Sequence, residues 1–289
     1  MPTSVEAGFN EFLARLALTQ IQSKTANEKI ISIRNFFVND FQMAEPVISI
    51  GSYRRDTIIR SQRDVDLLAV LSYDAYKNPY DNKSRDFLYM VRNALNNHYG
   101  STEVSSKLLA VRVDFSDMVV EVVPCFNRKG GGYLMPNGKN GWLATNPPFH
   151  TDLIANADAA KANKLRPIVR LMKEWNLLNG NHLTSFHVEL MVERMWQRDG
   201  AIGSYSAALA STLKVMPSWV RTTFDDPWPD GGERVDSYLS SVERQLAIRL
   251  LEEDARNSEL AETHRLNGRT QDAFERWNVV FRQAFPSYG

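Results

Sequence analysis

The chain has 289 residues, in which 34 lysines and arginines balance 34 aspartates and glutamates, so its formal net charge is zero. A neutral chain lacks the basic excess that attracts long nucleic acids or anionic membranes, and we expect neither as a partner. The single cysteine, Cys125, cannot form an internal disulfide. The N-terminal segment has neither the basic start nor the apolar core expected of a signal peptide, and no apolar run is long enough to span a membrane. These features predict a soluble protein of the cytoplasm.

The predicted secondary structure changes from helix to strand and back to helix along the chain. Short apolar runs bounded by glycine, proline or aspartate indicate strands, whereas apolar residues at helical spacing indicate helices. In chain order we predict helix in the first forty residues, strands at 47–50 and 65–71, a helix at 81–97, strands at 108–115 and 118–123 with Pro124 ending the second, a loop-rich segment at 127–149, and helices after residue 151. This order is typical of an α+β fold. We predict two lobes with an approximate boundary: residues 1–145, an N-terminal helix and a mixed sheet, and residues 146–289, a helical lobe.

Two aspartates lie next to each other on one face of a predicted strand. Asp64 and Asp66 are two residues apart, and alternate side chains of a strand point to the same face. Two carboxylates this close repel each other unless a cation lies between them, and their hard oxygen atoms suit Mg²⁺. Glu121, a lone acid in the apolar run 119–123, is the best candidate for a third ligand, because an acid is costly to bury without a partner. Three such acids predict a two-metal site for in-line displacement at a phosphate.

A glycine and a serine follow the predicted strand 47–50. Gly51 lets the backbone approach a phosphate closely, and Ser52 adds a hydroxyl and an amide N–H. The arginines that supply a local positive field after them are Arg54, Arg55, Arg60 and Arg63. Each feature has an ordinary structural explanation as well, since D-x-D pairs occur in turns and Glu121 could be a solvated edge residue or a salt-bridge partner. Their combination and order favour a catalytic site.

These residues resemble a known superfamily. The arrangement G-S-(x)11-D-x-D, with a later acid in VEVVP, is similar to the DNA polymerase β-type nucleotidyltransferases. The segment GSYRRDT at 51–57 resembles the G-S-[YF]-x-R-x-T pattern of the cyclic GMP-AMP synthase/DncV-like nucleotidyltransferases (CD-NTases) of bacterial anti-phage (CBASS) signalling. Later segments resemble motifs of the same family: Trp142 with TNP at 145–147, RP at 166–167 with KEWN at 173–176, and SFHVE at 185–189. The resemblance covers most of the chain and implies a bilobal polymerase β-like fold, with a mixed-sheet catalytic lobe and a helical lobe that closes a nucleotide cleft.

The resemblance also implies roles for the residues of the first lobe. Gly51 and Ser52 would cradle a triphosphate, and Asp64, Asp66 and Glu121 would be catalytic and would bind two Mg²⁺ ions, with Mn²⁺ as an alternative. Many relatives have aspartate where this chain has Glu121. The longer side chain still chelates, but it can change the position of the metal and the rate.

Three residues of the helical lobe complete the implied site. Lys173 would reach the triphosphate as a point charge, Ser185 would add a phosphate contact, and Phe186 would stack on a base. From the residues alone, Lys173 could equally be a lysine on a helix surface and Phe186 a core residue.

The resemblance implies a metal-dependent enzyme that needs no template. It would join nucleoside triphosphates into a cyclic di- or trinucleotide second messenger, release pyrophosphate, and act on a separate effector protein through its product. Two alternatives remain: a nucleotidyltransferase that acts on an RNA 3′ end or another acceptor, and a non-catalytic nucleotide- or RNA-binding module. The neutral net charge argues against a long RNA substrate.

Overall fold

The structure is a computed structural model that describes residues 1–100, 102–106, 109–198, 200–231 and 233–289. Residue 108, the first residue of one predicted strand, lies outside the described residues. The helices are α1 (Val5–Leu16), α2 (Gln20–Asp40), α3 (Gly51–Arg54), α4 (Tyr73–Tyr76), α5 (Ser84–His98), α6 (Pro147–Ala160), α7 (Leu165–Leu178), α8 (Ser185–Arg198), α9 (Tyr205–Arg221), α10 (Ser241–Leu266) and α11 (Thr270–Val280). The strands are β1 (Ile48–Ile50), β2 (Val65–Val70), β3 (Glu103–Ser106), β4 (Val111–Asp114), β5 (Val119–Asn127), β6 (Tyr133–Pro136) and β7 (Trp142–Thr145). The prediction of an α+β fold is confirmed.

The predicted N-terminal helical region forms two helices. The hydroxyl of Ser4 caps α1, and Thr19 and Gln22 form a capping box that starts α2. Phe9 of α1 packs edge to face against Trp277 of α11, with ring centroids 4.9 Å apart. The first helix therefore packs with the C-terminal helices, although it precedes the sheet in the chain.

The described strands form a mixed sheet in which β2 and β5 are parallel neighbours. The order is β1-β2-β5-β4-β3, and β6 and β7 form a hairpin that extends from β5. In the register of this sheet, Asp66 of β2 lies opposite Glu121 of β5. Arg112 of β4 lies opposite the same glutamate on its other side. Three charged residues are thus placed side by side across the centre of the sheet.

Parts of the sheet differ from the sequence-based prediction. β5 does not end at Pro124 but continues to Asn127. The reason is that β4 pairs with β5 only as far as Val122, so Pro124 lies where β5 is an edge on that side, and edges tolerate proline. The hairpin β6–β7 lies inside the segment predicted as loop-rich, because its strands have only four residues each and the glycines and prolines around them indicated a loop.

The first helix after the hairpin β6–β7 begins a few residues earlier than the predicted start after residue 151. α6 begins at Pro147, whose fixed φ angle and missing N–H suit the first turn of a helix. The side chain of Asn146 caps this helix by accepting a 3.1 Å hydrogen bond from the amide of Phe149.

Buried side chains form two large clusters. One is made by α2 and α5 against one face of β2, β4 and β5, and the other by α1 together with α7–α11. Val65 and Leu67 of β2, and Val120 and Val122 of β5, belong to the first cluster. Alternate residues of both strands therefore point to the opposite face of the sheet. The division of the chain at residue 145 stays a prediction.

In the described part of the chain, no helix combines the length and the apolar character needed to cross a membrane.

Candidate active site

A cavity of about 800 Å³ lies between the sheet and the helices α7 and α8. The sequence-predicted site residues in its lining are Ser52, Asp64, Asp66, Glu121, Lys173, Ser185 and Phe186. The remaining predicted residue, Gly51, lies directly against the carboxylate of Asp66. The structure therefore brings the predicted residues from both parts of the chain to one place.

The acidic wall of the cavity is formed by two neighbouring strands and the residue that precedes one of them. Asp66 and Glu121 are register partners of β2 and β5. Asp64 lies directly before β2, and its carboxylate and that of Glu121 approach the same guanidinium group, that of Arg112. Burial, together with the negative charges of Glu121 and Asp64, raises the pKa of Asp66 to about 7 against the opposing effect of Arg55 and Lys173. A cation bound between these acids would relieve both the burial cost and the repulsion.

The donor chemistry of the three acids fits Mg²⁺, which takes carboxylate and phosphate oxygens as ligands. Among residues 1–100, 102–106, 109–198, 200–231 and 233–289, however, no three acidic, histidine or cysteine side chains are arranged around a single point that one ion could occupy. A magnesium ion held by one or two of these carboxylates would need further oxygen ligands, and the phosphates of a nucleotide are of the required kind.

Arg112 is a residue of this wall that the sequence reasoning missed. Its Nη1 atom lies 4.0 Å from Oδ2 of Asp64 and 3.5 Å from Oε1 of Glu121. On its other side, its Nε atom donates to both carboxylate oxygens of Asp114, at 2.8 and 2.9 Å. The alternation in VRVD at 111–114 put Arg112 and Asp114 on one face of a strand, but only the register with β5 shows which acids they approach.

The turn after β1 places its backbone against the acids. Gly51 has a φ angle of +65°, in the left-handed region where glycine is favoured. A Cβ atom built on Gly51 would lie 1.9 Å from Oδ2 of Asp66. The carbonyl of Ser52 accepts a 2.9 Å hydrogen bond from the amide of Thr57, which folds the following segment back over α3. The glycine is needed here for both its backbone conformation and its lack of a side chain.

A buried ion cluster connects the two sides of the cavity. Nε of Arg55 donates to Oε2 of Glu189 at 2.5 Å. Nζ of Lys173 lies 3.3 Å from Oε1 of the same glutamate and donates to the carbonyl of Thr57 at 3.0 Å. Burial alone would raise the pKa of Glu189, but the two cations hold it below its usual value. The ammonium group predicted to contact a triphosphate is thus fixed in the cavity wall by Glu189, which the sequence reasoning did not single out.

Further hydrogen bonds connect the segment 55–62 to α7 and α8. Oγ of Ser61 donates to Oε2 of Glu174 at 2.7 Å. Oγ of Ser185 donates to Oε1 of Gln62 at 3.1 Å. The segment that joins the Gly51–Ser52 turn to the strand of Asp64 and Asp66 is therefore held by the helical side of the cavity. Ser185, predicted as a phosphate contact, takes part in this junction.

Phe186 lies at the rim of the ion cluster. Its ring packs edge to face against the ring of His150, with centroids 5.0 Å apart, and the guanidinium carbon of Arg55 lies 5.4 Å from its centroid. The ring is partly buried and lines the cavity. A half-exposed aromatic ring in a cavity wall can stack on a nucleotide base.

A comparison with known protein families defines the class of this protein. Residues 3–157, more than half of the chain, match the family model described as the Second Messenger Oligonucleotide or Dinucleotide Synthetase domain. The chain belongs to this family, and the resemblance to the CD-NTases is confirmed.

Two relatives carry names of the same kind. A cyclic AMP-AMP-AMP synthase of an Acinetobacter species is 30% identical over 156 residues, which are 50% of this chain and 44% of that protein. The matched region is thus less than half the length of that relative. A probable cyclic nucleotide synthase of Bacillus cereus is 22% identical over 278 residues, covering 84% of this chain and 82% of the relative.

Solved structures share the fold over nearly the whole chain. Escherichia coli MS115-1 CdnC, in its complex with HORMA-deltaN, matches with a TM-score of 0.79 at 19% identity and covers 98% of both chains. Vibrio cholerae DncV, in complex with the linear intermediate 5′ pppA(3′,5′)pG, matches with a TM-score of 0.67 at 15% identity, covering 83% of this chain and 69% of that one. The predicted arrangement of a mixed sheet and a helical part is the fold that this chain shares with these proteins.

Proposed function

We propose that this chain is a template-independent nucleotidyltransferase of the cytoplasm that joins nucleoside triphosphates into a cyclic di- or trinucleotide and releases pyrophosphate. The observation that carries the proposal is the convergence of Asp64, Asp66 and Glu121 on one wall of a cavity whose other wall holds Lys173. Membership of the second messenger synthetase family supports this activity. It is also supported by the two relatives, a cyclic AMP-AMP-AMP synthase and a probable cyclic nucleotide synthase, and by a solved structure of CdnC with ATP. The cyclic product would act in anti-phage signalling by activating a separate effector protein.

The two predicted lobes have different tasks in this proposal. The lobe at 1–145 supplies the acids and the Gly51–Ser52 turn, whose backbone and hydroxyl face the triphosphate. The lobe at 146–289 supplies Lys173, Ser185 and Phe186. The ammonium of Lys173 attracts the phosphates, the hydroxyl of Ser185 contacts one of them, and the ring of Phe186 stacks on the base. Both lobes are needed to bind one nucleotide.

Two Mg²⁺ ions, or Mn²⁺ in their place, would be held by Asp64, Asp66 and Glu121 together with the phosphates, and would stabilise negative charge on the attacking and leaving oxygens. The residues of the chain set the geometry of the reaction. A ribose hydroxyl of one nucleotide gives its proton to water and forms a bond to the α-phosphorus of another. The bond from that phosphorus to the bridging oxygen breaks, and pyrophosphate leaves. A second reaction of the same kind within the linear product closes the ring.

The test is to incubate the purified chain with all four nucleoside triphosphates and Mg²⁺ or Mn²⁺, without any acceptor. We expect a phosphatase-resistant product whose mass, measured by mass spectrometry, equals that of a cyclic di- or trinucleotide. A product that forms only when an RNA or another acceptor is added would contradict cyclisation and favour the first alternative. Nucleotide binding without turnover, unaffected by Asp64→Asn, would favour a binding module.

A further inference from the structure

We infer that Arg112 is an internal counter-ion of the acidic wall, which competes with divalent cations for the carboxylates of Asp64 and Glu121. The inference rests on the proposed function, since it concerns the metal site on which that function depends. Arg112 would be a positioning residue that sets how tightly the site takes up a cation.

The contacts of its guanidinium group are divided between two sets of acids. Nε and Nη2 form a bidentate contact with the carboxylate of Asp114, with Nη2 2.7 Å from Oδ1. Nη1 points the other way and lies between Asp64 and Glu121, at 4.0 and 3.5 Å. One positive group therefore lies within ion-pair distance of three carboxylates, two of which are the proposed metal ligands.

The backbone fixes this placement. Arg112 is the register partner of Glu121, and Asp114 is two residues further along the same strand, on the same face. The side chain of Arg112 is 26% exposed, so water screens its charge only in part. A divalent cation near Asp64 and Glu121 would be repelled by the guanidinium and would share its ligands. Uptake of the cation would require Nη1 to withdraw, while the bidentate contact with Asp114 retains the rest of the group.

Three variants separate competition for the metal ligands from a simple change of charge. Arg112→Gln removes the guanidinium charge but keeps an amide that can donate to Asp114. Arg63→Gln removes the same charge from another arginine that lines the same cavity, and it serves as the matched control. The double variant Arg112→Gln/Asp114→Asn removes one positive and one negative charge, so the net charge of the wall is that of the unmodified protein.

The experiment measures binding of Mn²⁺ alone to the full chain, by isothermal titration calorimetry and by the rise in melting temperature on addition of Mn²⁺. We expect Arg112→Gln and the double variant to bind Mn²⁺ about 5–10-fold more tightly than the unmodified chain, and Arg63→Gln to change affinity by less than about 2-fold. If Arg112 competes for the ligands, the double variant binds Mn²⁺ more tightly than the unmodified chain. Its unchanged net charge alone would predict no change in affinity.

Equal Mn²⁺ affinity in the unmodified chain and in Arg112→Gln would overturn the inference and leave the proposed metal site intact. An equal gain in Arg112→Gln and Arg63→Gln would also overturn it, because only the local charge would then matter. Failure of the unmodified chain and of every variant to bind Mn²⁺ would overturn this inference, and the product assay with nucleoside triphosphates and Mg²⁺ would then test the proposed function separately. A folded state of each variant is checked by its melting curve in EDTA.

Discussion

Gly51 lies so close to Asp66 that a Cβ atom on the glycine would be 1.9 Å from the carboxylate oxygen Oδ2. The contact joins the turn after β1 to the acid of β2, and these are the two features on which the resemblance noted in the sequence chiefly rests. In this chain, the spacing between the glycine-serine pair and the D-x-D pair therefore brings the turn into direct contact with the second aspartate.

The first prediction concerns this contact. Gly51→Ala adds a methyl group that must displace the Asp66 carboxylate, and it places alanine at a positive φ angle, which costs about 1–2 kcal/mol. We expect turnover of nucleoside triphosphates to fall at least about 100-fold, by analogy with the loss of a precisely placed catalytic donor. Gly100→Ala is the control, because a Cβ atom there meets nothing within 4 Å. Full activity of Gly51→Ala would contradict the proposed role of the turn.

The second prediction tests the acids. Asp64→Asn and Glu121→Gln keep the size of each side chain but remove a charge that the proposed reaction needs. We expect either change to reduce formation of the cyclic product by at least about 100-fold, with little loss of thermal stability. Glu252→Gln, an exposed acid of α10, is the matched control and should retain activity. Retention of product formation in Asp64→Asn would show that the reacting groups lie elsewhere.

The third prediction concerns the buried ion cluster. Glu189→Gln leaves Arg55 and Lys173 buried without their carboxylate partner, and breaking such a pair typically costs about 3–5 kcal/mol. We expect a loss of this size in the free energy of unfolding measured by urea titration. Glu252→Gln breaks an exposed ion pair and should change it by about 0.5 kcal/mol or less. Similar small effects of both changes would show that the cluster does not hold the structure together.

The fourth prediction is a pH dependence. The folded pKa of Asp66 is raised to about 7, chiefly by burial and also by Glu121, from an ordinary value of 3.8. A raised pKa means that the folded chain binds the proton more tightly than the unfolded chain, so the stability due to the protonated form is lost as the pH rises through about 7.

Asp66→Asn stays neutral at every pH, so it should resemble the protonated aspartate. In EDTA we expect its melting temperature to exceed that of the unmodified chain by several degrees at pH 8.5, and by much less at pH 5. The same difference at both pH values would contradict the raised pKa.

Part of the site could be read from the sequence because its features are local. The D-x-D spacing determines that Asp64 and Asp66 share a face, and the apolar run around Glu121 indicates a buried strand. Gly51 and Ser52 could be identified because they come directly after a short predicted strand. Each of these inferences uses the pattern of residues within one short segment and needs no knowledge of the fold.

The remaining features depend on pairings between distant segments. Neither Arg112 nor Glu189 stands out in the sequence, because each acquires its role from a neighbour on another element. The extension of β5 past Pro124 follows from where β4 stops, and the strands of the hairpin β6–β7 are too short to be recognised among the surrounding glycines and prolines. Such features are set by register and packing, which a local pattern does not specify.

The segment 55–62 has a consequence for the order of events in a reaction with two bond-forming steps. Arg55 and Ser61 of this segment are anchored on Glu189 and Glu174 of the helices, while its two ends carry the turn and the acid strand. A rotation of the helices would therefore pull the reacting groups out of alignment. In the proposed reaction, the reorientation between the first bond and ring closure would then fall on the linear intermediate, which would have to dissociate, turn and rebind within a rigid cavity.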